Sequence, residues 1–381
     1  MIYNIAFPYF PKEDVKEIMK EIEKILIGEG FLTMGENVKS FEKEFANFVG
    51  AKYGIATNSC TSALEIVLKS LGIGKGDEVI VPCQTFVATG SAVLTCGAKP
   101  VFVEVDSNFS IDINNVKKKI TSKTKAVIVV HFAGLIQENI FELKELLDSK
   151  NIYLIEDCAH AHGAKIGDIH AGSIGIAGCF SFYSTKILTT GEGGMIVTNN
   201  EELYKKASSL RNRGIDVEKA FEIYVNPGRN CRFTEIQAIL GRFQLKRLEE
   251  FVSYRNRLAK IYMTELSELK EKGVLRFQEY SKNVRHSYWR FVVFFREDID
   301  REKIKEKLRE RGIRADNPYS PLLHLQPLFK RLCQTYDGML PYSEKLAQTH
   351  ICLPIHLKIS PEDAKYIAKS LKEALREGGY I

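Results

Sequence analysis

From Glu78 to Asp157 the chain alternates short apolar runs with amphipathic stretches, and this alternation constrains the fold more than any other feature. Glu78-Val79-Ile80-Val81, Pro100 to Val105, Ala126 to Val130 and Ile152-Tyr153-Leu154-Ile155 read as strands. Between them, Phe86 to Leu94, Val116 to Ile120 and Ile140 to Leu147 read as helices. Apolar strands separated by helices predict a mostly parallel sheet covered on both faces, an α/β doubly wound architecture. Ligands of such sheets bind outside the carboxyl ends of the strands. The candidate positions are therefore Asn58 to Thr61, Cys83 to Phe86, His131, Asp157 to His160, and Lys186.

The flanking segments complete the outline. Val15, Ile18, Ile22, Ile25 and Leu26 recur at helical spacing, and Phe41, Phe45 and Phe48 mark a second helix. Tyr53 to Thr57 reads as a strand followed by a polar turn, and Ser62-Ala63-Leu64-Glu65 predicts a capping box opening the next helix. Beyond Thr234 the pattern changes to a long helix running past Phe251, then a strand over Tyr288 to Phe295 and a helix over Ile304 to Leu308. A Pro-rich loop follows, and a last helix is capped by Ser360 with Pro361 at its first position. The reading is an arm and a large domain over residues 1–248, with a smaller α+β domain over 249–381.

A net charge of +6 over 381 residues is mild, and the basic clusters are mixed with Glu. Nucleic-acid binding is not supported, while a phosphate-bearing substrate suits the sign. The eight cysteines are scattered without a C-x-x-C pair, which favours a reduced, cytoplasmic chain over a disulfide or zinc framework. Neither a signal peptide nor a membrane-spanning apolar run is expected. His131, His160 and His162 are too loosely placed for a metal site.

Chemistry concentrates around Lys186. The run Cys179 to Lys186 delivers one lysine into a loop of small residues ending in Gly191-Glu192-Gly193-Gly194. A desolvated lysine is a nucleophilic amine suited to Schiff-base formation. Asp157 follows an apolar strand and points at the same crevice, where a carboxylate can hold a protonated ring nitrogen. The Ser59 to Thr61 turn opens a helix and offers N–H groups to a phosphate, with the Ser181 hydroxyl as a further donor. Phe86 can cover a planar ring. Together, in this order, they describe a site for pyridoxal phosphate (PLP).

These motifs resemble the DegT/StrS family of PLP-dependent sugar aminotransferases, within aspartate-aminotransferase fold type I. The resemblance runs from Gly28 to His356 and rests on Asn58 to Leu64, Val81 to Phe86, Ile155 to Gly163, Phe180 to Lys186 with Gly191 to Gly194, Asn230 to Ala238, and Cys352 to His356. It implies that Lys186 carries the Schiff base and shuttles the proton, that Asp157 pairs with the ring nitrogen, and that Phe86 stacks on the ring. Cys60, Thr61 and Ser181 are implied to hold the phosphate, helped by Asn230 of a partner subunit in a homodimer with shared sites. His160 stands where the family usually has Gln, near the ring's phenolic oxygen. His131-Phe132-Ala133-Gly134 replaces the usual His-x-Tyr-Gly, and Asn317-Pro318-Tyr319 replaces a frequent His-Tyr pair. His131 and Tyr319 are therefore candidates to face substrate, and Arg229 and Arg213 to contact an anionic portion of it.

The implied reaction moves an amino group from glutamate or glutamine to a keto-sugar, expected to be nucleotide-linked, in cell-surface glycan or natural-product biosynthesis. A keto-cyclitol or other ketone is the alternative acceptor. Related dehydratases carry His at the lysine position, so Lys186 argues against that activity. A non-catalytic PLP-binding regulator is disfavoured by the intact Lys186, Asp157 and Ser181.

Overall fold

The computed structural model describes residues 2–219 and 222–381. Two helices open the chain: α1 (Lys12–Lys24) and α2 (Glu36–Val49). Strand β1 (Tyr53–Thr57) leads into α3 (Cys60–Ser70), β2 (Glu78–Pro82), α4 (Val87–Thr95) and β3 (Lys99–Val103). Then follow α5 (Ile113–Lys119), β4 (Thr124–Val130), α6 (Ile140–Asp148) and β5 (Tyr153–Asp157). A two-strand ribbon, β6 (Lys165–Ile166) and β7 (Ile169–His170), precedes β8 (Ala177–Ser181), β9 (Gly194–Thr198) and α7 (Glu201–Arg211).

The large sheet has seven strands in the order β1-β9-β8-β5-β4-β2-β3. It is parallel throughout except at β9, which runs antiparallel to both neighbours. Alternate residues of one strand enter opposite cores. Val127 and Val129 of β4 join one apolar cluster with Phe45, Leu143 and Phe180, whereas Ala126 and Ile128 join the other with Leu64, Val93 and Phe102. Burial on both faces explains the unbroken apolar runs of the sequence.

The 31-residue helix α8 (Glu235–Glu265), about 46 Å long at 1.5 Å per residue, opens with a capping box between Thr234 and Gln237. The boundary expected at 248/249 falls inside this unbroken helix. Its later turns pack with a three-stranded antiparallel sheet, β10 (Leu275–Phe277), β12 (Phe291–Phe295) and β13 (His350–Leu353), and with the C-terminal helix Pro361–Glu377. The short β11 (Val284–Arg285) instead pairs with β6. Two contacts cross the chain order: Tyr3 bridges to Ile313, and Leu322, Leu323, Phe329 and Leu340 join the large-sheet core. Among the described residues, no helix is long and apolar enough to cross a membrane.

One local expectation is corrected. α3 starts at Cys60, and its N-cap is Ser59, whose hydroxyl accepts the Ser62 N–H at 3.1 Å. The Ser62–Glu65 capping box does not form, because the helix is already under way at Ser62.

Candidate active site

The carboxyl ends of β1, β8 and β5 share one edge of the sheet, and the amino end of β9 joins them. Gly194 pairs with both Thr57 and Ser181, and Asp157 with Cys179. A Cβ on Gly194 would lie 2.5 Å from the Ser59 carbonyl carbon and 2.6 Å from the Cys60 nitrogen. Only glycine lets the start of α3 come this close to the sheet edge.

The lysine loop is closed at its base. Phe182 N–H donates to the Gly193 carbonyl at 2.8 Å, and Thr190 N–H to the Phe182 carbonyl at 3.0 Å. Beneath it, Phe182 packs against Phe41 and Phe45, with ring centroids 5.2 and 5.4 Å apart, an aromatic floor that resists collapse of the loop. Lys186 projects from this platform into a cavity of about 550 Å³. The cavity is lined by Ser59, Cys60, Thr61, Phe86, Asp157, His160, Ser181, Lys186 and Tyr319, all singled out from the sequence.

Electrostatics prepares these groups differently. Burial lowers the Lys186 amine from its ordinary 10.5 to about 8, although Asp157 acts to raise it. Burial raises the Asp157 carboxyl, opposed by hydrogen bonds from the Thr89 hydroxyl at 2.8 Å and the Ala159 N–H at 3.1 Å. Burial, with the Lys186 and Arg290 charges nearby, holds His160 well below its ordinary 6.5, so this imidazole is neutral at pH 7. The Cys60 thiol is pushed well up by burial and then by Asp157, so it remains protonated.

Four sequence candidates lie elsewhere. His131 is fully buried behind β4, its Nε2 3.0 Å from Glu156 and its Nδ1 accepting the Gln137 N–H at 3.1 Å. The expectation that His131 faces substrate is corrected: both ring nitrogens are used inside the core. Arg229 pairs with Glu65 at 3.2 Å on the surface, and Arg213 pairs with Glu222 at 3.0 Å. Neither arginine reaches this cavity, because the loop carrying them packs along α3 and α7. Asn230 is exposed and bridged to Asn212, also outside the chain's own cavity.

Three contributors escaped sequence reading. Thr89, one turn into α4, orients Asp157. Trp289 lines the cavity while its indole N–H donates to the Thr185 carbonyl at 3.0 Å, tying the strand beyond α8 to the lysine loop. Arg290 lines the cavity at 5 % exposure. Trp289 is the only tryptophan in the chain, a signal that could have drawn attention to this pair.

The residues present fit a planar, phosphorylated, ring-nitrogen cofactor. A carboxylate already hydrogen-bonded on each oxygen faces the cavity, a helix N-terminus and a serine line it, and His160 Nδ1 is buried without a partner.

Comparison with known proteins agrees with this geometry. Residues 12–372 match the family described as the DegT/DnrJ/EryC1/StrS aminotransferase family. The chain is 34 % identical over 340 residues to GDP-perosamine synthase of Escherichia coli O157:H7, covering 89 % of this chain and 90 % of that protein. It is 35 % identical over 386 residues to UDP-N-acetyl-3-dehydro-alpha-D-glucosamine 3-aminotransferase of Acidithiobacillus ferrooxidans, covering 98 % of this chain and 100 % of that one. S. venezuelae DesV, solved in complex with a ketimine intermediate, superposes with a TM-score of 0.89 at 30 % identity over 97 % of this chain and 98 % of that chain. The chain belongs to the DegT/DnrJ/EryC1/StrS aminotransferase family.

Proposed function

We propose that this aminotransferase uses PLP, takes its amino group from glutamate or glutamine, and delivers it to a keto-sugar carried on a nucleotide. The observation that carries the reading is the convergence of Lys186, Asp157, Ser181 and the start of α3 on one cavity. Relatives named for GDP- and UDP-linked sugars support the acceptor class.

When bound, the cofactor supplies an electron sink that acidifies the carbon bearing the amino group. Asp157, held by Thr89 and Ala159, is placed to stabilise a protonated ring nitrogen. Ser181 and the N–H groups opening α3 bind the phosphate, and Phe86 offers its face at the rim. Lys186 Nζ, with its pKa near 8, takes a proton from the substrate carbon and returns one, as general base and then general acid. His160, neutral, donates or accepts a hydrogen bond without adding charge.

The exposed apolar strip of Leu26, Ile27, Phe31 and Leu32, 58–68 % exposed apart from Phe31 at 77 %, supports a homodimer. In that assembly Asn230 of one copy would complete the other's phosphate site. Eight cysteines without a disulfide favour the cytoplasm.

The test is direct. The PLP-loaded protein is mixed with glutamate, and its absorbance is followed from the aldehyde to the amine form of the cofactor. Nucleotide-linked keto-sugars are then added to reverse the change. Amination of a cyclitol ketone but of no nucleotide sugar would overturn the acceptor assignment.

A further inference from the structure

We propose that Arg290 is the anchor for the carboxylate of the amino donor, a role that rests on the aminotransferase reading above. Four charged residues line the cavity: Asp157, Glu192, Lys186 and Arg290. Arg290 is the one cation among them besides Lys186, and it comes from the residue just before β12, beyond α8 in the chain.

Its bonding leaves it available. Nε donates to Asp316 at 3.3 Å, a single contact rather than a two-pronged fork, and Nη1 donates to the Trp289 carbonyl at 3.2 Å. Nη2 has no hydrogen-bond partner among the described residues. The other Asp316 oxygen is buried without a partner, so the ion pair is incompletely matched on both sides. A guanidinium at 5 % exposure that lines the cavity and keeps one nitrogen without a hydrogen-bond partner suits a planar, two-oxygen anion.

The distances suit an α-amino acid. The Arg290 guanidinium carbon lies 3.9 Å from the centroid of the Trp289 ring, and Lys186 Nζ lies 4.4 Å from the same centroid. Those lengths cap the separation of the two cations at 8.3 Å. An amino acid whose amine meets Lys186 and whose carboxylate meets Arg290 is small enough for two cations held within that bound of each other. The guanidinium also lies over the indole ring, a cation–π contact that helps hold it in place before binding. Asp316 holds Arg290 in place before a donor arrives, and Nη2 and Nη1 then present the fork.

Because Trp289 is the chain's single tryptophan, its emission reports on this subsite. Titrating the PLP-loaded enzyme with glutarate, a dicarboxylate lacking an amine, is expected to change that emission saturably. Arg290→Gln is expected to weaken glutarate binding at least tenfold, and Arg290→Lys to fall between the two, since it keeps charge without the fork. The glutamate concentration for half-maximal single-turnover conversion of the cofactor is expected to rise by a similar factor in Arg290→Gln. Unchanged glutarate and glutamate dependence in Arg290→Gln overturns the assignment. Should that variant fail to fold, Arg290→Lys carries the test, and glutarate and glutamate dependence unchanged from wild type in that variant overturns the assignment. Arg290-dependent glutarate binding without conversion by any amino acid would sink the donor reading while upholding the carboxylate subsite.

Discussion

The imidazole of His160 lies parallel to the indole of Trp289, with ring centroids 3.7 Å apart and planes inclined by 9°. On the same imidazole, Nε2 is 2.7 Å from the Tyr319 hydroxyl. Burial pushes the Tyr319 phenol well above 10, so it keeps its proton and can donate to Nε2, which places the ring hydrogen on Nδ1. The opposite arrangement would leave both the phenol hydrogen and the Nδ1 lone pair without partners. A clamped, neutral histidine is thus presented to the cavity with one nitrogen unpaired.

Tyr319→Phe removes the partner of a buried ring nitrogen while keeping the aromatic ring. The expected cost is about 1–3 kcal/mol, seen as a fall of a few degrees in Tm. The absorbance of the cofactor-loaded protein is expected to shift as well, because the His160 hydrogen is no longer confined to one nitrogen. A variant identical to wild type in both measurements would contradict the clamp.

Lys186 governs a pH dependence whose sign follows from its lowered pKa. The neutral amine is the nucleophile, so borohydride trapping of PLP on the cofactor-free protein is expected to rise with a midpoint near pH 8. An ordinary lysine would give a midpoint near 10.5. Lys186→Ala is expected to abolish trapping at that position, and turnover with it, while leaving phosphate-dependent binding of the cofactor.

Thr89→Val exchanges a hydroxyl for a methyl of similar shape. Asp157 then loses a hydrogen bond that opposes the effect of its burial, so its pKa rises further and its carboxylate protonates at higher pH. Hydrogen bonds to charged groups contribute about 1.5–3 kcal/mol, so PLP affinity is expected to fall on the order of tenfold or more. The loss should be larger at pH 6 than at pH 8, which equilibrium absorbance titrations would reveal.

Glu156 tests a structural role next door to the catalytic one. Its carboxylate accepts the N–H groups of Gly172, Ile174 and Gly175 at 2.7–2.8 Å and meets His131 at 3.0 Å. Glu156→Ala strands three buried polar groups and the half-buried Gly175 N–H, and is expected to abolish soluble expression. Glu156→Gln, which keeps one acceptor oxygen, is expected to lower Tm with little change in the KM for the donor. A large KM effect at unchanged Tm would return His131 to the substrate.

The doubly wound sheet was legible because its strands are apolar on both faces, a pattern that neither a half-exposed sheet nor an amphipathic helix produces. Lys186, Asp157 and the Ser59–Thr61 turn were legible because each lies at the end of such a strand, and sheet topology places those ends along one edge. The cap of α3 was misplaced by three residues, since Ser59 and Ser62 are both competent caps and only the paired geometry chooses between them. His131 looked like a site residue for the same strand-end reason, but its side chain turns toward Glu156, and the direction of a side chain past a strand end is set by packing.

What the sequence alone determined about this protein is therefore local and periodic: its elements, their order and the residues at strand ends. Tertiary structure decided which residues from distant segments complete the cavity. Trp289 and Arg290 lie more than 100 residues beyond Lys186 along the chain, yet α8 carries β12 back so that the indole binds the Thr185 carbonyl and both cations border one ring. No spacing in the chain encodes that meeting, because it arises from how two cores pack against each other rather than from the period of any single element.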